Sequence, residues 1–315
     1  MALARQRAAL HNNRQVPSFR YLHYDVFTDR ALEGNQLAVF PEPAGLTTDA
    51  MQRVTREMNF SECTFIFPAE SPGTDVRMRI FTPGEELPMA GHPTIGSTFA
   101  LAHEGVIAGG SRAFVFGLGV GPTPVSMDWK GDALDFAWMT QKNPEYGGTI
   151  GDRDAFARAI GLTAADLLPP PAGRVSCGVP FLFAPLVSRE VVDRVAVDRA
   201  AYAAVCARAG LQELPLFVFA VGAPDGADVY SRMLAPGLGV SEDPATGGAS
   251  GPLGCYLYQH RLVPRERLSH IVSLQGVKML RPSRIHISIE AQGDGITRVR
   301  VGGRSVLVGH GVLTF

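Results

Sequence analysis

The sequence predicts an α+β fold of two similar lobes, each a set of short strands around one buried helix. Three observations predict it. Short apolar runs recur along all 315 residues, punctuated by 35 Gly and 23 Pro, a pattern of many turns and therefore many strands. The stretch AGHPTIGSTFALAHEG, residues 90–105, reads as a helix with almost no charged face, as a helix at the centre of a lobe should be. The pattern that opens it, a polar residue, proline and a glycine three positions after the proline, returns in DPATGG at Asp243, 151 residues after His92 (243 − 92).

The elements follow in order. YLHYDVF (21–27) and LEGNQLAVF (32–40) read as a strand, a turn and a second strand. LTTDAMQRVTREMNF reads as a helix capped by Thr47 or Thr48, with Met51, Val54 and Met58 on one face. SECTFIF and VRMRIFT are strands, and the uncharged helix follows. RAFVFGLG, TPVSMDW and LDFAWM are further strands. The polar, turn-rich TQKNPEYGGTIGD is the expected boundary. It gives a first lobe of residues 18–140 and a second of 141–307, after a disordered tail over 1–17. Short helices, the strand PFLFAPLV, the second motif with its helix, and the strands IHISIE and TRVRVGG complete the chain.

Composition excludes several classes of function. Net charge is −1, with 19% charged residues, so no basic field would attract nucleic acid or an anionic membrane. No apolar run reaches the ~20 residues of a membrane span. Cys63, Cys177, Cys206 and Cys255 form no CxxC pair, so no metal site is expected and the thiols read as reduced, in a cytoplasmic protein. Residues 1–17 carry Arg5, Arg7 and Arg14 and no acid, the composition of a tail or of a targeting peptide. FGLGVGP has the wrong spacing for a dinucleotide-binding loop and runs into prolines.

The two motifs are candidate helix mouths. Proline favours the first helical position and pushes its predecessor into extended backbone. His92 and Asp243 are therefore expected as N-caps, with Gly96 and Gly247 leaving the backbone open to close approach. Two facing mouths would suit a small carboxylate. Glu62 is the other candidate. It lies among Phe60, Phe65, Ile66 and Phe67 and shares a strand face with Phe60 and Thr64. A carboxyl in an apolar cleft has a raised pKa and can act as an acid or base near neutrality. Cys63 should point to the opposite face, into the core.

The blocks LEGNQLAVF, REMNFSECTFIF, RIFTPGEELPMAGHPTIGS, RMLAPGLGVSEDPATGGASGPLG and QGVKMLRPSRI occur in that order. Together they resemble the phenazine-biosynthesis PhzF-like family, which shares the diaminopimelate epimerase fold, from about residue 19 to 315. The resemblance implies two lobes, each a curved mixed sheet wrapped around a central helix, with the site in the cleft between them. It implies that the last strand, about 308–315, returns to the first lobe. It also implies a cofactor-independent isomerase that moves a proton on a small carboxylated substrate, acting without a metal, often as a homodimer. Carried over by motif, the catalytic residues would be Glu62, His92 and Asp243. Substrate contacts would come from Asn35, Ser61, Gly91, Gly178, Gly247 and Gly248. Four departures stand out: Gln36, Cys63, Gly248 and the pair Lys278 and Leu280 where relatives commonly carry Pro, Ser or Thr, Ser, and Glu and Gly. Two other functions are weighed. An amino-acid epimerase or racemase would need opposed thiols, for which Cys63 and Cys177 are the candidates. A non-catalytic small-acid-binding protein would keep the cleft without turnover.

Overall fold

The computed structural model describes residues 16–315 except Pro224 and Asp294. The tail expected over 1–17 therefore lies, for residues 1–15, outside the described residues. The first half runs β1 (Ser18–Val26), β2 (Asn35–Phe40), α1 (Thr48–Met58), β3 (Glu62–Pro68), β4 (Val76–Phe81), β5 (Glu86–Leu87), α2 (Gly91–His103), β6 (Ala113–Leu118), β7 (Gly121–Lys130) and β8 (Ala133–Gln141). The second half runs β9 (Glu145–Thr149), α3 (Arg153–Ala159), β10 (Gly173–Ser176), β11 (Pro180–Pro185), α4 (Arg189–Arg194), α5 (Arg199–Arg208) and β12 (Leu216–Val221). It continues with β13 (Val229–Ala235), β14 (Val240–Asp243), α6 (Gly247–Gln259), β15 (Ile271–Gln275), β16 (Ser283–Gln292), β17 (Gly295–Gly303) and β18 (Ser305–Thr314).

Strand sense repeats between the halves. In the first, β1–β2 is antiparallel, β2–β3 parallel, β3–β4 antiparallel, β4–β6 parallel, and β6–β7–β8 antiparallel. In the second, β10–β11, β11–β12, β12–β13, β13–β15 and β15–β16–β17 follow the same order of senses. Each half gains a further strand beside its first ladder. β9, which follows β8, adds antiparallel to β10, and β18, which follows β17, adds antiparallel to β1. β8 and β17 also pair with each other, so this ladder joins the halves as the β1–β18 ladder does.

The central helices hold the sheets together. α2 lies against β1, β2 and β8, and α6 against β10, β11, β16 and β17. Both are buried over most of their length. Neither buried helix has an outward face for charge, which explains the uncharged sequences. α1 instead buries Met51, Val54 and Thr55 and is capped by Thr47, as its spacing predicts. Cys63 is buried with Phe40, Phe65 and Phe81 under that helix.

FGLGVGP is the β6–β7 hairpin, with Leu118 opposite Gly121. Two expectations are corrected. TQKNPEYGGTIGD is not only a turn: it holds the end of β8 and all of β9. Every residue of β9 is exposed, so it carries no apolar alternation to signal a strand. The second correction concerns the caps. α2 begins at Gly91, one residue before His92, after an extended Ala90. α6 begins at Gly247, with Thr246 as its cap residue, so Asp243 ends β14 instead. The first turn of a helix has no intrahelical use for its N–H groups, so Pro93 fits at the third helical position as well as at the first.

Candidate active site

Three elements of the first half and one turn of the second converge. Asn35 opens β2, Glu62 opens β3, and His92 sits in the first turn of α2. Asp243 closes β14, just before α6. Glu62 Oε2 lies 3.0 Å from His92 Nε2, with side-chain exposures of 15% and 4%. The Asn35 amide Nδ2 lies 2.8 Å from Asp243 Oδ1, 3.0 Å from the Ala245 carbonyl and 3.3 Å from His92 Nδ1. Ser61 donates to Asp243 Oδ1 at 3.4 Å and Thr246 to Asp243 Oδ2 at 2.5 Å.

Burial sets the protonation of this group. Desolvation raises Glu62 well above the ordinary carboxylate range, and the Asp243 charge raises it further. Burial raises Asp243 as well, against hydrogen bonds from Thr246, Asn35 and Ser61 that favour its charged form. Asp243 has three donors and Glu62 has none of them, so Asp243 ionises first. Burial lowers His92 to about 3, with the Gln36 backbone opposing. The imidazole is thus neutral at neutral pH, and the 3.0 Å approach of Glu62 to His92 is a close contact and not a salt bridge.

The pair is also incomplete. Glu62 Oε2, His92 Nε2 and Asn35 Oδ1 are buried and lack a hydrogen-bond partner; the 3.0 Å Glu62–His92 approach is short but poorly aligned. An unsatisfied buried polar atom costs about 1–3 kcal/mol. Three such atoms lie together here, on Glu62, His92 and Asn35.

The glycines divide into two groups. A Cβ on Gly91 would sit 2.5 Å from the Gly247 carbonyl carbon and 2.6 Å from the Gly248 nitrogen. One on Gly247 would sit 3.0 Å from the Gly91 Cα and 2.9 Å from Phe27 Cζ. The two helix mouths therefore touch backbone to backbone, and these glycines permit that contact. Gly96 is not open to a ligand, since its Cβ would strike Leu37 and Val26 at 2.6 Å. Gly178 is exposed with a φ of +130°, and a Cβ there would sit 2.9 Å from Met89 Cε. It lines a cavity of about 190 Å³ with Met89, Cys177 and Gln141. Gln141 ties that cavity to the cluster by donating to the Gly247 carbonyl at 3.0 Å. Gly248 is half-buried, and a Cβ there would sit 4.0 Å from the Phe181 ring. Gly91→Ala should destabilise the chain by about 1–3 kcal/mol, because neither backbone can yield. A urea unfolding midpoint equal to that of the unaltered protein would refute this packing role.

Sequence reasoning gave no role to Thr246, Gln275 or Gln141. Gln275 Nε2 donates to the Asp243 carbonyl at 2.8 Å and to Thr246 Oγ1 at 3.0 Å. All three residues stand inside stretches quoted above, but their partners do not show in the sequence. The thiols are not opposed across the cluster. Cys63 is in the core beneath α1, and Cys177 faces Cys255 at 3.9 Å. A two-thiol epimerase site is therefore absent at the predicted pair.

Comparison with known proteins agrees with this architecture. The PhzC-PhzF family, described as phenazine biosynthesis-like protein, matches residues 24–311. The chain is 36% identical over 304 residues to an uncharacterized isomerase of Mesorhizobium japonicum, covering 93% of this chain and 98% of that one. It is 34% identical over 292 residues to the trans-2,3-dihydro-3-hydroxyanthranilate isomerase of Pseudomonas aeruginosa, with the same coverage of 93% and 98%. A crystal structure of the Bacillus anthracis phenazine biosynthesis protein of the PhzF family superposes with a TM-score of 0.83 at 24% identity, covering 95% of this chain and all of that one. With its repeated strand order and paired helix mouths, the chain belongs to the phenazine biosynthesis-like PhzC-PhzF family, a family of isomerases.

Proposed function

We propose that this protein isomerises a small, carboxylated, cyclic or unsaturated acid by moving a proton between carbon atoms. The observation that carries the reading is a buried carboxyl of raised pKa, 3.0 Å from a neutral imidazole, with both facing atoms unsatisfied. In its ionised form Glu62 removes a proton from a carbon next to the unsaturated system. Its raised pKa then makes it an acid strong enough to return the proton at a second carbon. His92, neutral, orients the substrate or relays the proton. Asp243 stays ionised longest and holds up the affinity of Glu62 for its proton. The free N–H groups of the α2 and α6 mouths carry partial positive charge and stabilise the substrate carboxylate as charge develops. A proton shift of this kind has no net redox change, so the chain's own acid and base groups suffice for it.

The substrate class follows the relatives, one of which is named for trans-2,3-dihydro-3-hydroxyanthranilate. A panel of small cyclic and unsaturated acids containing that compound tests the reading, with products followed by NMR and no added cofactor. Isomerisation of at least one acid is expected. Tight binding of an acid without conversion of any would favour the small-acid-binding alternative.

A further inference from the structure

The block QGVKMLRPSRI enters the site from outside. Gln275, its first residue, holds Asp243 and Thr246 as described. Six residues on, the Arg281 guanidinium reaches back to the β1–β2 turn. Its Nε donates to the Gly34 carbonyl at 2.7 Å, and its Nη2 donates to the Glu33 carbonyl at 2.7 Å and to Asp25 Oδ1 at 2.6 Å. Asp25 is 1% exposed, and its second oxygen accepts from the Leu32 N–H at 2.6 Å. The Gly34 N–H donates to the Pro282 carbonyl at 3.2 Å. Both backbone polar groups of Gly34 are therefore held by residues 281 and 282. Gly34 also cannot be replaced freely: its φ is +67° and a Cβ would sit 2.4 Å from the Val26 carbonyl oxygen.

The next residue is Asn35, whose amide bridges His92 and Asp243. The opposite end of the block is pinned too, since a Cβ on Gly276 would sit 2.4 Å from the Arg281 oxygen and 2.5 Å from the Pro244 oxygen. Residues 275–281 thus touch the supports of Asp243 at one end and of Asn35 at the other. The two departures in the block fall outside these contacts. Leu280 is 84% exposed, and Lys278 donates to the Asp193 carbonyl.

We propose that Arg281 is a positioning residue, which sets the Asn35 amide between His92 and Asp243 by clamping the Glu33 and Gly34 carbonyls. It touches no reacting atom. The inference rests on the isomerase reading of the cluster. Arg281 has the planar fork that three acceptors require, and a lysine ammonium lacks it. Arg281→Lys keeps a positive charge beside Asp25, so the buried carboxylate is not orphaned and the chain should fold.

A double-mutant cycle with Asn35→Ala tests the proposal. Arg281→Lys should lower kcat at least tenfold with KM changed far less. In the Asn35→Ala background it should change kcat less than twofold, because the amide it positions is gone. Equal effects in both backgrounds, or a wild-type kcat in Arg281→Lys, would overturn it. A second readout needs no turnover. Asn35 favours the ionised form of Asp243, so the Asp243 carboxyl midpoint, followed by carbon NMR, should rise in Arg281→Lys as in Asn35→Ala. An unmoved midpoint in folded Arg281→Lys defeats the proposal. Midpoints that rise while wild type converts no acid would count against the isomerase reading and leave the positioning role standing.

Discussion

Glu62→Gln should lose ~10²–10⁴-fold in turnover, the contribution typical of a general acid–base group, and should gain stability at neutral pH. The amide is nearly isosteric and cannot exchange a proton with carbon. The stability gain follows from linkage. Glu62 holds its proton more tightly in the folded chain than in the unfolded one. Folded-state stability therefore falls as pH rises from the unfolded carboxyl pKa of ~4.3 through the raised folded value. Glutamine escapes that loss. Melting temperatures should show the variant above wild type at pH 8, with the difference shrinking toward pH 4. Equal melting curves at pH 8 would mean that Glu62 is not held in a desolvated state. A variant with near wild-type turnover would remove Glu62 from the mechanism.

Asp243→Asn should also slow the reaction, because the charge that holds up the proton affinity of Glu62 is lost, and it should move the acid limb of the pH–rate profile to lower pH. The sign comes from the charge that is removed. The Asp243 carboxylate helps to raise Glu62. Without it Glu62 ionises at lower pH, and the base form needed for the first step is present earlier. His92 does not compete for the assignment, since burial holds its own titration down to about 3. An acid limb that stays in place, or moves upward, would show that the limb does not report Glu62 under the influence of Asp243.

Much of the site was legible because its chemistry conflicts with its surroundings. A glutamate among phenylalanines and two polar-proline patterns before uncharged helices are local contradictions, and the structure brings Glu62, His92 and Asp243 to one place. The helix starts were less legible. Proline is tolerated throughout a first helical turn and also just before one, so neither Pro93, third in α2, nor Pro244, two residues before the α6 cap, could fix the cap residue. The internal repeat was visible in one motif only. It is carried by the order of parallel and antiparallel neighbours, which backbone hydrogen bonding imposes without demanding matching side chains. β9 was missed because a fully exposed strand paired to β10 needs no apolar alternation. Arg281 and Gln275 were unreadable for a different reason. Arg281 lies 247 residues from Gly34 and Gln275 lies 32 from Asp243, and both bind backbone carbonyls, which leave no trace in residue identity.

The most direct measurement is solvent deuterium incorporation into substrate, for wild type and Glu62→Gln side by side in D₂O. Wild type should place deuterium on substrate or product carbon while Glu62→Gln, folded and still binding the acid, places none. Deuterium entering at the wild-type rate in Glu62→Gln would contradict a proton transfer through Glu62.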